Sequence, residues 1–234
     1  MYHPFSVTQT LSIAWFVLKK NFATIAVYTL LAFVIVGGVG FFVNWILNDL
    51  ILASIGLFLL TICVSFVFLG FIKLVFQLID KKYYDFEFKD IVPKFRVLLS
   101  YIILLVIIST LSVFMTNMIK RLDEGLLQSI LGIAVGVFFE FFFLFYFPIC
   151  TCFIVDDQSG PFEAVAQSFH LIKGNFLKYF LLFILIEAMV FIGSILIVGL
   201  VFVIPFVNIL LVVAYRKLVY SHMDVDDEEV TETL

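Results

Sequence analysis

Two carboxylates stand where carboxylates are costly. Glu140 lies inside FFEFFF, 14 residues after Leu126 and 15 before Val155, and Glu187 lies inside FILIEAMV, 11 residues after Phe176. At ~1.5 Å per residue, both fall near the middle of a spanning helix. An ionised carboxylate there costs ~2.5–3.5 kcal/mol on insertion scales, so each is expected to be protonated or to face a bundle interior. The chemistry open to them is a proton relay or a polar substrate path. The reading we favour is a neutral acid hydrogen-bonded across helices, because no second charged residue follows either Glu at helical spacing. Asn208, three residues after Pro205, is placed to bond carbonyls that the proline frees or to join Glu140 and Glu187 in lining a cavity.

Other chemistry has little to stand on. His3, His170 and His222 are far apart, and Cys63, Cys150 and Cys152 fall inside or at the end of apolar runs, so neither a metal site nor a disulfide framework is expected. No nucleophile triad order, phosphate loop or HExxH occurs. We expect no enzyme, no cofactor and no nucleic-acid partner.

The elements that would hold these residues follow from the solvent. Of 234 residues, 64% are hydrophobic, 14% are charged and 31 are Phe, a composition suited to lipid. Six apolar runs emerge at 22–47, 51–72, 97–119, 126–155, 176 to about 193 and about 199 to 214, the length a bilayer crossing needs. They do not alternate as barrel strands would. The expected fold is all-α: a polytopic membrane protein with six transmembrane helices in three pairs of parallel topology. Each pair is preceded by a cytoplasmic amphipathic elbow, giving modules of about 5–80, 86–155 and 160–220 within one domain, 1–220. The third pair is compressed into the 39 residues from Lys178 to Arg216, with a turn near 197; one crossing plus a re-entrant arm is the alternative. The first run is too long for a cleavable signal, so no processing is expected.

Charge sets orientation. Twelve Lys and Arg, among them Lys19, Lys20, Lys73, Lys173 and Arg216, fall on the N-terminal side of the spans, against Lys120 and Arg121 on the other. That bias places both termini in the cytoplasm. Removing the six acids between Asp224 and Glu232 turns the net charge of −4 into +2, so the acidity belongs to a tail, 221–234, expected to be disordered. Lys73 and Gln77 are expected to continue the second helix, with Lys73 reaching to the headgroups.

The clearest elbow is GPFEAVAQSFHLIKGNFLKYFLL, from Gly160 to Leu182, where apolar residues recur at helical spacing before polarity vanishes after Lys178. An earlier copy lies 154 residues upstream: Trp15, Lys19, Asn21 and Phe22 stand where Phe169, Lys173, Asn175 and Phe176 do. Gly70, Pro148 and Pro205 each interrupt an even-numbered run near its cytoplasmic end, so helices two, four and six are expected to bend.

The run FYFPICTCFIVDDQSGPFEAVAQSFHLIKGNFLKYF resembles a recurring segment of uncharacterised bacterial inner-membrane proteins. That loose family includes the membrane domain attached to some glycerophosphodiester phosphodiesterases. The resemblance rests on Pro148, the acidic turn Asp156 and Asp157, the amphipathic stretch 162–168 and the elbow 173–176, with Gly193, Gly199, Pro205, Ala214 and Tyr215 fitting the closing crossing. It implies a six-helix fold in the bacterial inner membrane and carries over no chemistry. The expected role is an integral subunit or scaffold supporting membrane organisation or partner assembly. Its partners would be the bilayer and a membrane protein or a second copy. The alternative is a small-molecule or lipid transporter.

Overall fold

The computed structural model describes residues 5–46, 50–80, 88–123, 125–195 and 197–232. Among these residues no strand occurs. In chain order the helices are α1 (Val7–Lys20), α2 (Phe22–Ile46), α3 (Leu50–Asp80), α4 (Phe95–Ile119), α5 (Leu126–Phe141), α6 (Phe147–Asp156), α7 (Pro161–Lys173), α8 (Phe176–Ile195) and α9 (Ile197–Glu232). Among the described residues, six helical stretches are long and apolar enough to cross a bilayer: Phe22–Trp45, Ser54–Asp80, Phe95–Ile119, Leu126–Asp156, Phe176–Ile195 and Val201–Tyr220. Their surfaces are covered with large apolar side chains such as Val34, Phe41, Trp45 and Ile133, all mostly exposed. In water such a surface would aggregate, whereas in lipid it is solvated. The chain is a multi-pass α-helical membrane protein.

The chain divides into two compact units, Met1–Lys94 with Leu171–Leu234, and Phe95–His170. In the first, α2 packs on α3, α8 on α9, and α1 and α3 on α9. Its core sits at one end, where Leu69, Leu74 and Val75 of α3 meet a nearly continuous buried stretch of α9 from Ile209 to Leu218. Small residues at Ala14 and Ala214, both fully buried, let helices approach. The last two apolar runs form two helices, each long enough to cross: Phe176–Ile195 has 20 residues, and at ~1.5 Å rise it matches a ~30 Å core. α9 begins at Ile197, and near this turn a Cβ on Gly193 would come within 2.9 Å of Val203, so only glycine lets α8 and α9 close so tightly there.

In the second unit α4 packs on α5 and α6. The fourth run is not one regular helix. Between α5 and α6 lies a π-helical turn, Phe142–Tyr146, in which the Phe147 N–H reaches back five residues to the Phe142 carbonyl. Pro148 stands next, at the start of α6. It has no N–H to offer the preceding turn, and the widened turn accommodates the mismatch.

Gly70 lies within α3, which runs unbroken to Asp80, at a point of close approach: the Tyr28 hydroxyl is 2.5 Å and the Ile91 carbonyl oxygen 3.4 Å from where a Cβ would stand. Pro205 lies inside a continuous α9. The segment before α4 is no amphipathic helix over 88–94: a 3-10 turn at Phe88–Asp90 leads into irregular chain, because Pro93 disfavours helix at the residue before it. Residues 81–87 of that connector lie outside the described residues. Lys73 and Gln77 hold this connector, donating from Nζ to the Val92 carbonyl at 2.8 Å and from Nε2 to the Asp90 carbonyl at 2.9 Å. α9 runs to Glu232.

Candidate functional site

Gly132, Gly136 and Glu140 recur every four residues along α5, which places them in one row on a helix surface. All three are exposed. A Cβ built on either glycine meets nothing within 4 Å, so the row faces open space. The π turn just beyond Glu140 anchors the end of this row. In it Phe145 is fully buried and stacks on Phe141 with ring centroids 4.7 Å apart. Tyr146 lies 4.2 Å from the Phe169 ring of α7. Behind it the Cys150 thiol and Ser168 hydroxyl are hydrogen-bonded at 3.1 Å, and Tyr101 of α4 packs on Phe147 at 5.5 Å. α6 is buried on nearly every side, whereas α5 buries only Phe139. The extra residue of the π turn therefore joins a helix sunk in its unit to one whose glycine and carboxyl row is left uncovered.

Asn208 does not do what Pro205 suggested. Proline at 205 leaves the carbonyl of Val201 without its i+4 donor, but Asn208 Nδ2 donates to the carbonyl of Ile204 at 2.8 Å, its own preceding turn. Its cavity, about 350 Å³, lies between α2, α3 and α9 and is walled by residues such as Tyr28, Phe33, Phe68 and Pro205, with neither glutamate in its lining. Glu187 is half-buried on α8 beside buried Ile186, and Glu140 is exposed on α5.

The segments at 154-residue spacing share some local features and differ in others. α1 ends at Asn21, whose Nδ2 and backbone N–H both donate to the Val17 carbonyl, at 3.0 and 3.1 Å. Its own carbonyl then accepts from Ile25 at 3.0 Å, opening α2. Asn175 accepts from Tyr179 at 3.0 Å in the same way, opening α8, while its N–H turns to the Ile172 carbonyl. Phe5, Thr10, Ala14, Val17, Asn21 and Ile25 are buried; so, 154 positions on, are Ser159, Ala164, Ser168, Leu171 and Tyr179. Trp15 packs edge-on against Phe206 at 5.9 Å with Lys19 Nζ 4.9 Å above its ring; Phe22 and Phe176 are half-exposed at the helix starts, and Phe176 stacks on Phe180 at 6.0 Å. Lys173 closes α7.

Sequence reasoning singled out Glu140 but passed over Gly132 and Gly136, although a G-x-x-x-G ending four residues before the acid was there to be read. It also passed over Tyr28, whose hydroxyl donates to the Val67 carbonyl at 2.8 Å; no local signal marks a bond across 39 residues. No family model matches the chain, and no curated protein or solved structure matches it.

Proposed function

We propose that this protein is an integral interaction subunit of the bacterial inner membrane, with both termini cytoplasmic, that self-associates through the Gly132, Gly136 and Glu140 row of α5 and so forms a scaffold in the membrane. The observation that carries this reading is the exposure of that row inside a spanning helix. In lipid, helices associate through close backbone approach at small residues and through interhelical hydrogen bonds worth ~0.6–2 kcal/mol. An ionisable group facing hydrocarbon is costly, which favours covering it with protein. A second copy is the simplest cover. A parallel two-fold pair brings Glu140 against Glu140 at the same depth by construction, and two carboxyls sharing protons satisfy one another without a further residue. The matched registers of α1 with α7, and of the openings of α2 and α8, support an internal repeat of amphipathic elbow and crossing. They are in keeping with the inner-membrane family that the sequence resembles.

Photo-crosslinking from position 129, which is exposed on the same helical row as Gly132, tests the association in native membranes. A crosslinker at Ser129 is expected to yield an adduct of twice the chain mass, and one at Phe138, on another face, very little. Gly136→Leu should weaken the adduct from position 129 about tenfold, equivalent to ~1.4 kcal/mol. Glu140→Gln, which still forms amide pairs, should retain it, and Glu140→Leu should not. Equal adducts at 129 and 138, or indifference to Gly136→Leu, would contradict the reading, and an adduct with a different protein would replace self-association by a foreign partner.

A further inference from the structure

Three cavities on the first unit lie side by side, each sharing lining residues with the next. The first, about 460 Å³, lies between α1 and α9 and is lined by Trp15, Leu18, Lys19, Phe22, Phe202 and neighbours of Phe202. The second, about 200 Å³, shares Leu18, Phe22 and Phe202 with the first and adds Ala26, Thr29 and Pro205. The third, the Asn208 cavity of about 350 Å³, shares Thr29 and Pro205 with the second. From Phe22 to Val36 the path runs along α2 for about 21 Å, longer than the ~15 Å hydrocarbon depth of one leaflet.

The wall is apolar along this length, and its polar groups are turned inward. Thr29 Oγ1 donates to the Ile25 carbonyl at 2.8 Å, and Asn208 Nδ2 donates to Ile204. Nothing there calls for a polar occupant. Charge appears only at the mouth, where exposed Lys19 stands over Trp15 and exposed Lys20 lies 5.9 Å from the Phe16 ring, just before the span that begins at Phe22. A cation beside an aromatic ring at a membrane boundary, opening onto an acyl-sized apolar path, matches one kind of ligand.

We propose that this groove binds an anionic phospholipid from the leaflet on the Lys19 side, with its phosphate at Lys19 and one acyl chain laid between α2 and α9 past Pro205. The site is independent of the α5 row. It would make anionic lipid a constitutive part of the first unit, filling space that its helices leave open.

The chain has two Trp, so Trp45→Phe leaves Trp15, in the groove mouth, as sole reporter. The protein is reconstituted in phosphatidylcholine vesicles doped with phosphatidylglycerol brominated on one acyl chain, or with brominated phosphatidylcholine as control. Trp15 fluorescence is expected to be quenched by the brominated phosphatidylglycerol at several-fold lower mole fraction than by the control. Lys19→Gln should abolish that preference and Lys19→Arg should keep it. Ala26→Phe, which fills the groove wall while leaving both lysines, should reduce it. Identical quenching curves for the two lipids, a preference that survives Lys19→Gln, or no quenching by either lipid would overturn the proposal.

Discussion

Tyr215→Ala is expected to cost about 3–5 kcal/mol of stability, the range for emptying a buried aromatic site, and to lower the thermal unfolding temperature in detergent accordingly. Tyr215 is fully buried on α9, with its ring edge-on to Phe76 of α3 at 5.7 Å. The next residue, Arg216, stands 4.7 Å over the same Phe76 ring and is ion-paired with Asp80 at the end of α3. One aromatic ring thus meets two successive residues of α9. The two contributions separate by mutation. Asp80 is 42% exposed at its side chain, so the ion pair is screened and Asp80→Asn should cost under about 1 kcal/mol. Arg216→Ala also removes the stacked guanidinium and should cost more than Asp80→Asn. Arg216→Lys keeps the charge and loses the planar stack, so it should fall between them. Were Asp80→Asn as damaging as Tyr215→Ala, charge and not ring packing would be joining α3 to α9.

Gly70→Val is expected to destabilise by ~1–3 kcal/mol through overpacking. The added carbons have two neighbours from different parts of the chain. One is the Tyr28 hydroxyl, itself held by the Val67 carbonyl; the other is the Ile91 carbonyl of the connector. The diagnostic comparison is a cycle with the smaller variant. Gly70→Ala should be destabilising, and Tyr28→Phe alone should cost ~0.5–1.5 kcal/mol for the lost hydrogen bond. Because Phe removes the atom in the way, the double variant should be more stable than the sum of the two effects allows. Strict additivity would show that Gly70 is retained for some reason other than room for Tyr28.

These two sites mark the boundary of what the sequence could show. The six crossings were legible because lipid forces each one to satisfy its own backbone, so a run such as Phe95–Ile119 announces itself by length and composition alone. Helix α7 was legible too, through three- and four-residue spacing that stops just before Asn175. What escaped depends on neighbours distant in sequence or on competition within a helix. Gly70 looks like a helix breaker until Tyr28 is placed beside it. Pro148 marks the fourth run, but no residue pattern marked the π turn just before it. Pro205 and Asn208 look like a mutual remedy, yet an amide four residues beyond a carbonyl reaches that carbonyl first. Glu140 was found as a charge in lipid, and its glycine neighbours were missed because attention to titratable groups hides residues whose contribution is to be small.

Depth, face and orientation all depend on an even number of crossings with the chain ends on one side. The direct measurement is labelling by a membrane-impermeant maleimide in sealed vesicles of both orientations. Cys63, Cys150 and Cys152 are replaced by Ser, and a single Cys is placed at Ser6, Asp123 or Tyr220. Positions 6 and 220 are expected to label only from the cytoplasmic side, and position 123, between α4 and α5, only from the opposite side. Labelling of 6 and 220 from opposite sides, or of 123 from the same side as either, would contradict the six-crossing account.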